Sequence, residues 1–187
     1  MSSHHIVREN QEPALLILSL EELEDDILHQ LLEWSPTLIT LAENYEILHS
    51  RGIKVDVLLC KGGLVADLPV EENRLVIPYE KSYWSNLFTY LIANKNNSLT
   101  ILGESQIADH LKPWLADFSL TIIDRDFKFV LVKKYEKWLP ENTILSLPVN
   151  LPIENLKHVG NQRFKVIGDG FVRISSQTDY FLIGEEL

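Results

Sequence analysis

The sequence predicts an α/β protein: a mostly parallel sheet with flanking helices, followed by a small antiparallel β domain of half-sandwich form. Two textures predict it. Up to about Val132, short apolar runs alternate with segments of helical period, as in βαβ units joined by right-handed crossovers. Beyond Val132 no useful helical period returns, and short β-like runs are punctuated by Pro148, Pro152, Gly160, Gly168 and Gly170. A chain of 187 residues can bury a real core and suits one sizeable domain or two small ones. The boundaries read as a disordered stretch 1–12, an α/β domain 13–132 and a β domain 133–187.

The elements follow in order. Ala14–Leu20 is a continuous apolar run, the mark of a strand covered on both faces. Ser19 and Glu22 fit a capping box for a helix that puts Leu23, Ile27, Leu28, Leu31 and Leu32 on one face. Pro36 ends the connection and Thr37–Leu41 is the next strand. A short helix around Tyr45–His49 stops at Gly52, a C-terminal glycine cap. Val55–Leu59 is the third strand, Lys61-Gly62-Gly63 a turn, and Arg74–Pro78 the fourth strand. Ser82 caps a helix with Trp84, Leu87, Phe88, Leu91 and Ile92 inward, broken at Asn94–Asn97. Ser98–Leu102 and Ser119–Ile123 are two more strands, and Gly103 reads as freeing the backbone to turn after the first. In the β domain the runs are Thr143–Leu147, Arg163–Ile167, Phe171–Ile174 and Tyr180–Ile183.

Composition excludes several function classes. The net charge of −10 argues against non-specific nucleic-acid binding, which needs clustered Lys and Arg. No apolar run approaches the ~18 residues of a membrane span, so no membrane partner is expected. The start lacks the apolar core of a signal peptide, and a lone cysteine, Cys60, fits a reducing compartment; the expected location is cytoplasmic.

Few residues carry chemistry by themselves. Cys60, ending an apolar strand, reads as buried and inert. The six histidines show no metal-ligand spacing, so no metal site is assigned. No G-x-S-x-G elbow is present, which removes the serine-hydrolase reading. Lys61-Gly62-Gly63 reads as a plain turn, with a phosphate-gripping turn the alternative. Trp84, Trp114 and Trp138 read as packing anchors, with a ligand stack at Trp138 the alternative. Asp109 and His110 are either a ligand-facing pair or exposed residues that pair locally.

The order Gly103…Asp109-His110…Ile123-Asp124 resembles the thiamin pyrophosphokinase family, whose motif there is roughly G-x-x-G-G-R-x-D-H. The first glycine and the Asp-His pair are present; Gln106 and Ile107 stand where the arginine would be. The resemblance implies a nucleotide-binding α/β domain followed by a compact β domain. It implies a homodimer with the active site between the two kinds of domain, and magnesium-dependent transfer of pyrophosphate from ATP to thiamin. Carried over residue by residue, the family's first acid falls on Glu43. Its Gly-Asp-x-Asp-Ser falls on Cys60–Leu64, where Lys61 replaces the first carboxylate and the second is also gone. Its D-x-T-D falls on Glu80-Lys81-Ser82-Tyr83, keeping one acid and a hydroxyl. A Ser-Asn on the family's thiamin-facing strand falls on Ser175-Ser176.

The candidate ligand residues are therefore Glu43, Lys61, Glu80, Ser82, Asp109, His110, Ser175 and Ser176. With most family acids missing, the expectation is a thiamin pyrophosphokinase-like protein with a degenerate site that binds at most a nucleotide or a thiamin-like heterocycle. Mg and ATP enter only if the family activity persists. Two alternatives stand beside it: an active pyrophosphokinase whose metal site is rebuilt from Glu43, Glu80 and Asp109, and a structural or interaction protein with only architectural resemblance. A β domain of this size, carrying Phe171, Tyr180 and Phe181, also predicts dimer contacts.

Overall fold

Strand β1 (Ala14–Ile17) is apolar and buried at every position. Its burial requires neighbours on both edges and cover on both faces, and the chain supplies the edges from the strands Leu38–Leu41 and Ser98–Leu102. The computed structural model describes residues 13–20, 25–62, 74–148, 153–176 and 179–187. The expected disorder of 1–12, Glu22 and Leu23 of the first helix, and Gly63 lie outside the described residues. Two compact units form, the first from residues up to Gly103 with Ala116–Ser119, the second from Glu104–Leu115 with Leu120–Leu187.

In the first unit, α1 (Asp25–Leu32), β2 (Leu38–Leu41), α2 (Tyr45–Ser50), β3 (Val57–Lys61), β4 (Leu75–Tyr79), α3 (Trp84–Ala93) and β5 (Ser98–Leu102) follow β1. The strands lie parallel in the order β5-β1-β2-β3-β4. This is the parallel, helix-linked sheet that the alternating pattern predicts. Gly52 ends α2 at φ +71, with the Ile53 N–H reaching back to the Leu48 carbonyl at 3.0 Å, as a glycine cap requires. In α3, Trp84, Leu87, Phe88 and Leu91 are buried. Ile92, expected inward, is 56% exposed. At 100° per residue it falls roughly 90° from the centre of that buried stripe, in the last turn. Strand β4 is the sheet edge and carries Pro78, whose carbonyl accepts a hydrogen bond from Asn86 Nδ2 at 2.7 Å.

The second unit contributes α4 (Ala108–Leu111), most of β6 (Ser119–Asp124), then β7 (Phe127–Val132), β8 (Lys134–Leu139), β9 (Ile144–Ser146), β10 (Leu156–Gly160), β11 (Arg163–Val166), β12 (Gly170–Ser175) and β13 (Phe181–Glu186). Antiparallel pairs run in the order β10-β11-β9-β13-β7-β6, and β8 pairs separately with β12. Leu145, Phe164 and Ile183 from the larger set share a core with Tyr135, Leu139, Val172 and Ile174 from the ribbon.

Strand β8 was hidden behind its polar side chains. Lys134 and Arg173 both pair with Glu136 on the exposed face, at 2.9 and 3.1 Å, while Tyr135 and Leu139 point into the core. Trp138, expected to pack, is 53% exposed and sits directly opposite Phe171, 52% exposed. Tyr135 hydrogen-bonds Glu185 of β13 at 2.9 Å, and Lys137 also pairs with Glu185.

Gly184 on β13 stands opposite Phe129, whose ring lies across it; a Cβ there would come within 2.7 Å of Phe129 Cδ1. Gly184→Ala is expected to destabilise the protein by about 1–3 kcal/mol, because the ring must leave its rotamer or the strands must part. Urea denaturation measures this, and an unchanged midpoint would refute the packing argument.

Candidate functional site at the strand ends

Ligands of open α/β sheets sit outside the carboxyl ends of the strands where the strand order reverses, here between β1 and β5. In this chain the protein itself fills that place. The N–H groups of Leu18 and Ser19 both donate to the Leu102 carbonyl, at 2.9 and 3.3 Å. Asn44 Nδ2 donates to the Leu18 carbonyl at 3.0 Å, and Thr40 Oγ1 to that of Ile17 at 2.8 Å. A Cβ on Gly103 would stand 3.1 Å from Leu18 Cβ. Gly103 is thus needed for close approach. It is not one of the glycines with positive φ, which corrects the expectation that it frees a turn.

Polar residues gather instead at the ends of β2, β3 and β4. Glu43 is exposed in the 3-10 turn that follows β2 directly. Lys61, exposed, is the last residue of β3 and stands in register with Tyr79, the last of β4. Glu80 and Ser82 follow, both exposed. The Glu80 carboxylate lies so close against Gly62 that a side chain there would overlap its Oε1. Ser82 Oγ accepts the Trp84 N–H at 3.4 Å, a loose contact at the start of α3.

Two tyrosines complete this edge. The Tyr79 and Tyr83 rings meet edge to face at 5.6 Å, and Tyr83 leans on Trp84 at 4.7 Å. Burial, then the neighbouring Tyr79 and the Glu43 carboxylate, push the Tyr83 phenol up to about 12. Burial, Glu43 and Cys60 raise Tyr79 in the same direction. Glu43 therefore acts on both phenols. The sequence reading missed these tyrosines as site residues; the only signal was their position flanking Glu80-Lys81-Ser82.

The other four candidates belong to the second unit. Asp109 lies on the single turn α4, exposed, with Lys112 Nζ at 3.1 Å; Lys112 also reaches Asp179 at 3.6 Å. This is local pairing. His110 is exposed beside it. Ser175 ends β12 opposite Lys134. Ser176 donates its N–H to the Lys133 carbonyl at 2.9 Å and accepts the Asp179 N–H on Oγ at 3.3 Å.

Magnesium takes oxygen ligands in an octahedron, usually carboxylates plus phosphate oxygens. Among the described residues, no three His, Cys, Asp or Glu side chains gather in a way that could hold a metal ion. At the strand ends Lys61 brings a positive charge to the edge that carries Glu43 and Glu80. The described residues at these strand ends do not by themselves fit a magnesium-bound triphosphate.

The tyrosines give a direct test. Because the raised Tyr83 value disfavours phenolate in the folded state, its stabilising effect is complete below pH 10.0 and is lost as pH rises towards about 12. Glu43→Gln removes one of the charges that raise it, so its titration, followed by phenolate absorbance, is expected to move downward while burial keeps it above the ordinary value. An unmoved titration would place Glu43 away from the phenols.

No family model matches the sequence, and no curated protein sequence does. Solved structures do. A protein from Lactobacillus plantarum aligns over 93% of this chain and 98% of its own, with a TM-score of 0.62 at 9% identity. Thiamin pyrophosphokinase from Geobacillus thermodenitrificans aligns over 93% of this chain and 97% of its own, at 0.59 and 12%. Thiamin pyrophosphokinase from Candida albicans aligns over 94% and 89%, at 0.60 and 10%. At such identities the likeness is one of fold, and it agrees with the resemblance read from Gly103 and Asp109-His110: this chain has a divergent form of the thiamin pyrophosphokinase fold.

Proposed function

We propose that this is a thiamin pyrophosphokinase-like protein that has lost magnesium-dependent transfer and keeps a strand-end site for a small flat ligand, a nucleotide or a thiamin-like heterocycle. The observation that carries this reading is the edge formed by Lys61, Gly62, Tyr79, Glu80 and Tyr83. There an ammonium and two phenols stand at positions that the family resemblance assigns to acids or to their neighbours. A triphosphate carries about four negative charges that such enzymes offset through bound magnesium. A lysine can touch phosphate directly but repels a metal ion from the same place. Tyrosine rings suit a heterocycle, through stacking at their faces or contact at their edges.

Thermal shift with ATP, and with thiamin, tests binding, since a ligand at ~100 times its Kd adds about 2.7 kcal/mol. The expected result is a shift that survives EDTA, together with no thiamin diphosphate formed from thiamin, ATP and Mg²⁺. Turnover, or binding abolished by EDTA, would favour the rebuilt metal site. No shift with either ligand would favour an architectural resemblance alone.

The half-sandwich reading of the β unit and a homodimer belong to the same proposal. The ribbon's outward face sets Trp138 beside Phe171, an apolar pair flanked by the Lys134–Glu136–Arg173 charges. Large exposed aromatic pairs mark contact surfaces. Sedimentation at micromolar concentration is expected to give a dimer, and Trp138→Glu a monomer; a monomeric parent would end this part of the proposal.

A further inference from the structure

The sheet of the second unit bears a cleft of about 690 Å³ that Glu43, Lys61, Tyr79, Glu80 and Tyr83 do not line, although Glu104 and Gln106 just past β5 do. One cross-strand row accounts for its shape. Register pairs Arg163 with Ser146, Ser146 with Gly184, and Gly184 with Phe129, so these positions share one face. Their alternates Phe164, Leu145 and Ile183 belong to the core on the other face. Ser146 is the small, open member of the row and leaves a trough beside Phe129, whose ring lies across Gly184.

Strands β11 and β7 are separated by β9 and β13, three spacings or roughly 14 Å. The Arg163 guanidinium nevertheless reaches to 5.2 Å from the centroid of the Phe127 ring. Among the described residues that ring contact is its one interaction, with no hydrogen bond or ion pair to a carboxylate. A guanidinium steadied on a ring keeps its fork of donors free, and the fork matches a carboxylate in a bidentate pair.

The remaining charges narrow the ligand. Glu104, Asp124 and Asp126 line the cleft with Arg125 and Arg163. Asp124 is already engaged, accepting the Ser105 N–H on Oδ2 at 2.7 Å. The excess of acid opposes a dianion such as phosphate and suits a ligand whose second group is a cation. We propose that this cleft binds a small amino carboxylic acid, with its carboxylate on Arg163 and its ammonium towards Glu104 and Asp126.

The test is a titration of the full chain, followed by amide chemical shifts, with ω-amino carboxylates from β-alanine to ε-aminohexanoate. At least one is expected to saturate, shifting the Ser146, Asn161 and Gly184 amides. The carboxylate of equal length without the amine should bind about tenfold more weakly. Arg163→Gln should weaken the best ligand by about tenfold, and Arg163→Lys, which keeps the charge and loses the fork, should also weaken it. Spectra unchanged outside the cleft would show that both variants are folded. Absence of saturation by every member, equal binding by Arg163→Gln, or phosphate binding as well as the best amino acid would each overturn the proposal. Neither result depends on what binds at the strand ends.

Discussion

The first unit depends on keeping β1 dry. A fully buried strand must have every backbone N–H and C=O paired, since an orphaned group there costs about 1–3 kcal/mol. Parallel pairing to β2 and β5 meets most of that need. The end of the strand is met by side chains: Thr40 donates to Ile17, and Asn44 reaches both Ile17 and Leu18. Asn44 is the residue after Glu43. The turn that presents Glu43 is therefore positioned by the hydrogen-bond needs of a strand three elements earlier.

The β unit solves its own burial differently. A two-stranded ribbon is marginal alone, and β8–β12 gains stability by contributing Tyr135, Leu139, Val172 and Ile174 to a shared core. Glu185 adds a polar tie, taking Tyr135 Oη and the Lys137 ammonium together, and burial with that hydrogen bond raises the Tyr135 phenol. Its outward face keeps two large aromatic rings, which the ribbon has no second layer to cover.

The fold was legible where hydrophobic pattern alone decides it. The runs at Ala14, Thr37 and Val55 could be read because strands buried on both faces need mostly apolar residues along their length, and the run at Ser98 because its buried positions are Leu99, Ile101 and Leu102. Strand β8 was not legible, since a half-buried strand whose outer positions carry Lys, Glu and Trp looks polar until its partner Arg173 is known. The same limit applies to the candidate site. Glu43, Lys61 and Glu80 follow strands, so their place at the sheet's carboxyl edge could be inferred. The two tyrosines between and beside them could not, because their environment depends on contacts between separate strand ends. Asp109 carried a motif, and its carboxylate faces Lys112 three residues on, a helical spacing that was open to view.

Pro78 bears on how the molecule behaves in a crowded solution. An edge strand offers a row of unpaired backbone groups on which another chain can template a strand. Proline has no N–H to give, and here its carbonyl already receives the Asn86 amide. At that residue β4 offers an incoming strand no donor, and its carbonyl already accepts one hydrogen bond. A runaway ladder of sheets, the first stage of fibril growth, thus meets a gap near the carboxyl end of this border. The proline that looks like a flaw in the strand pattern acts as a guard against polymerisation.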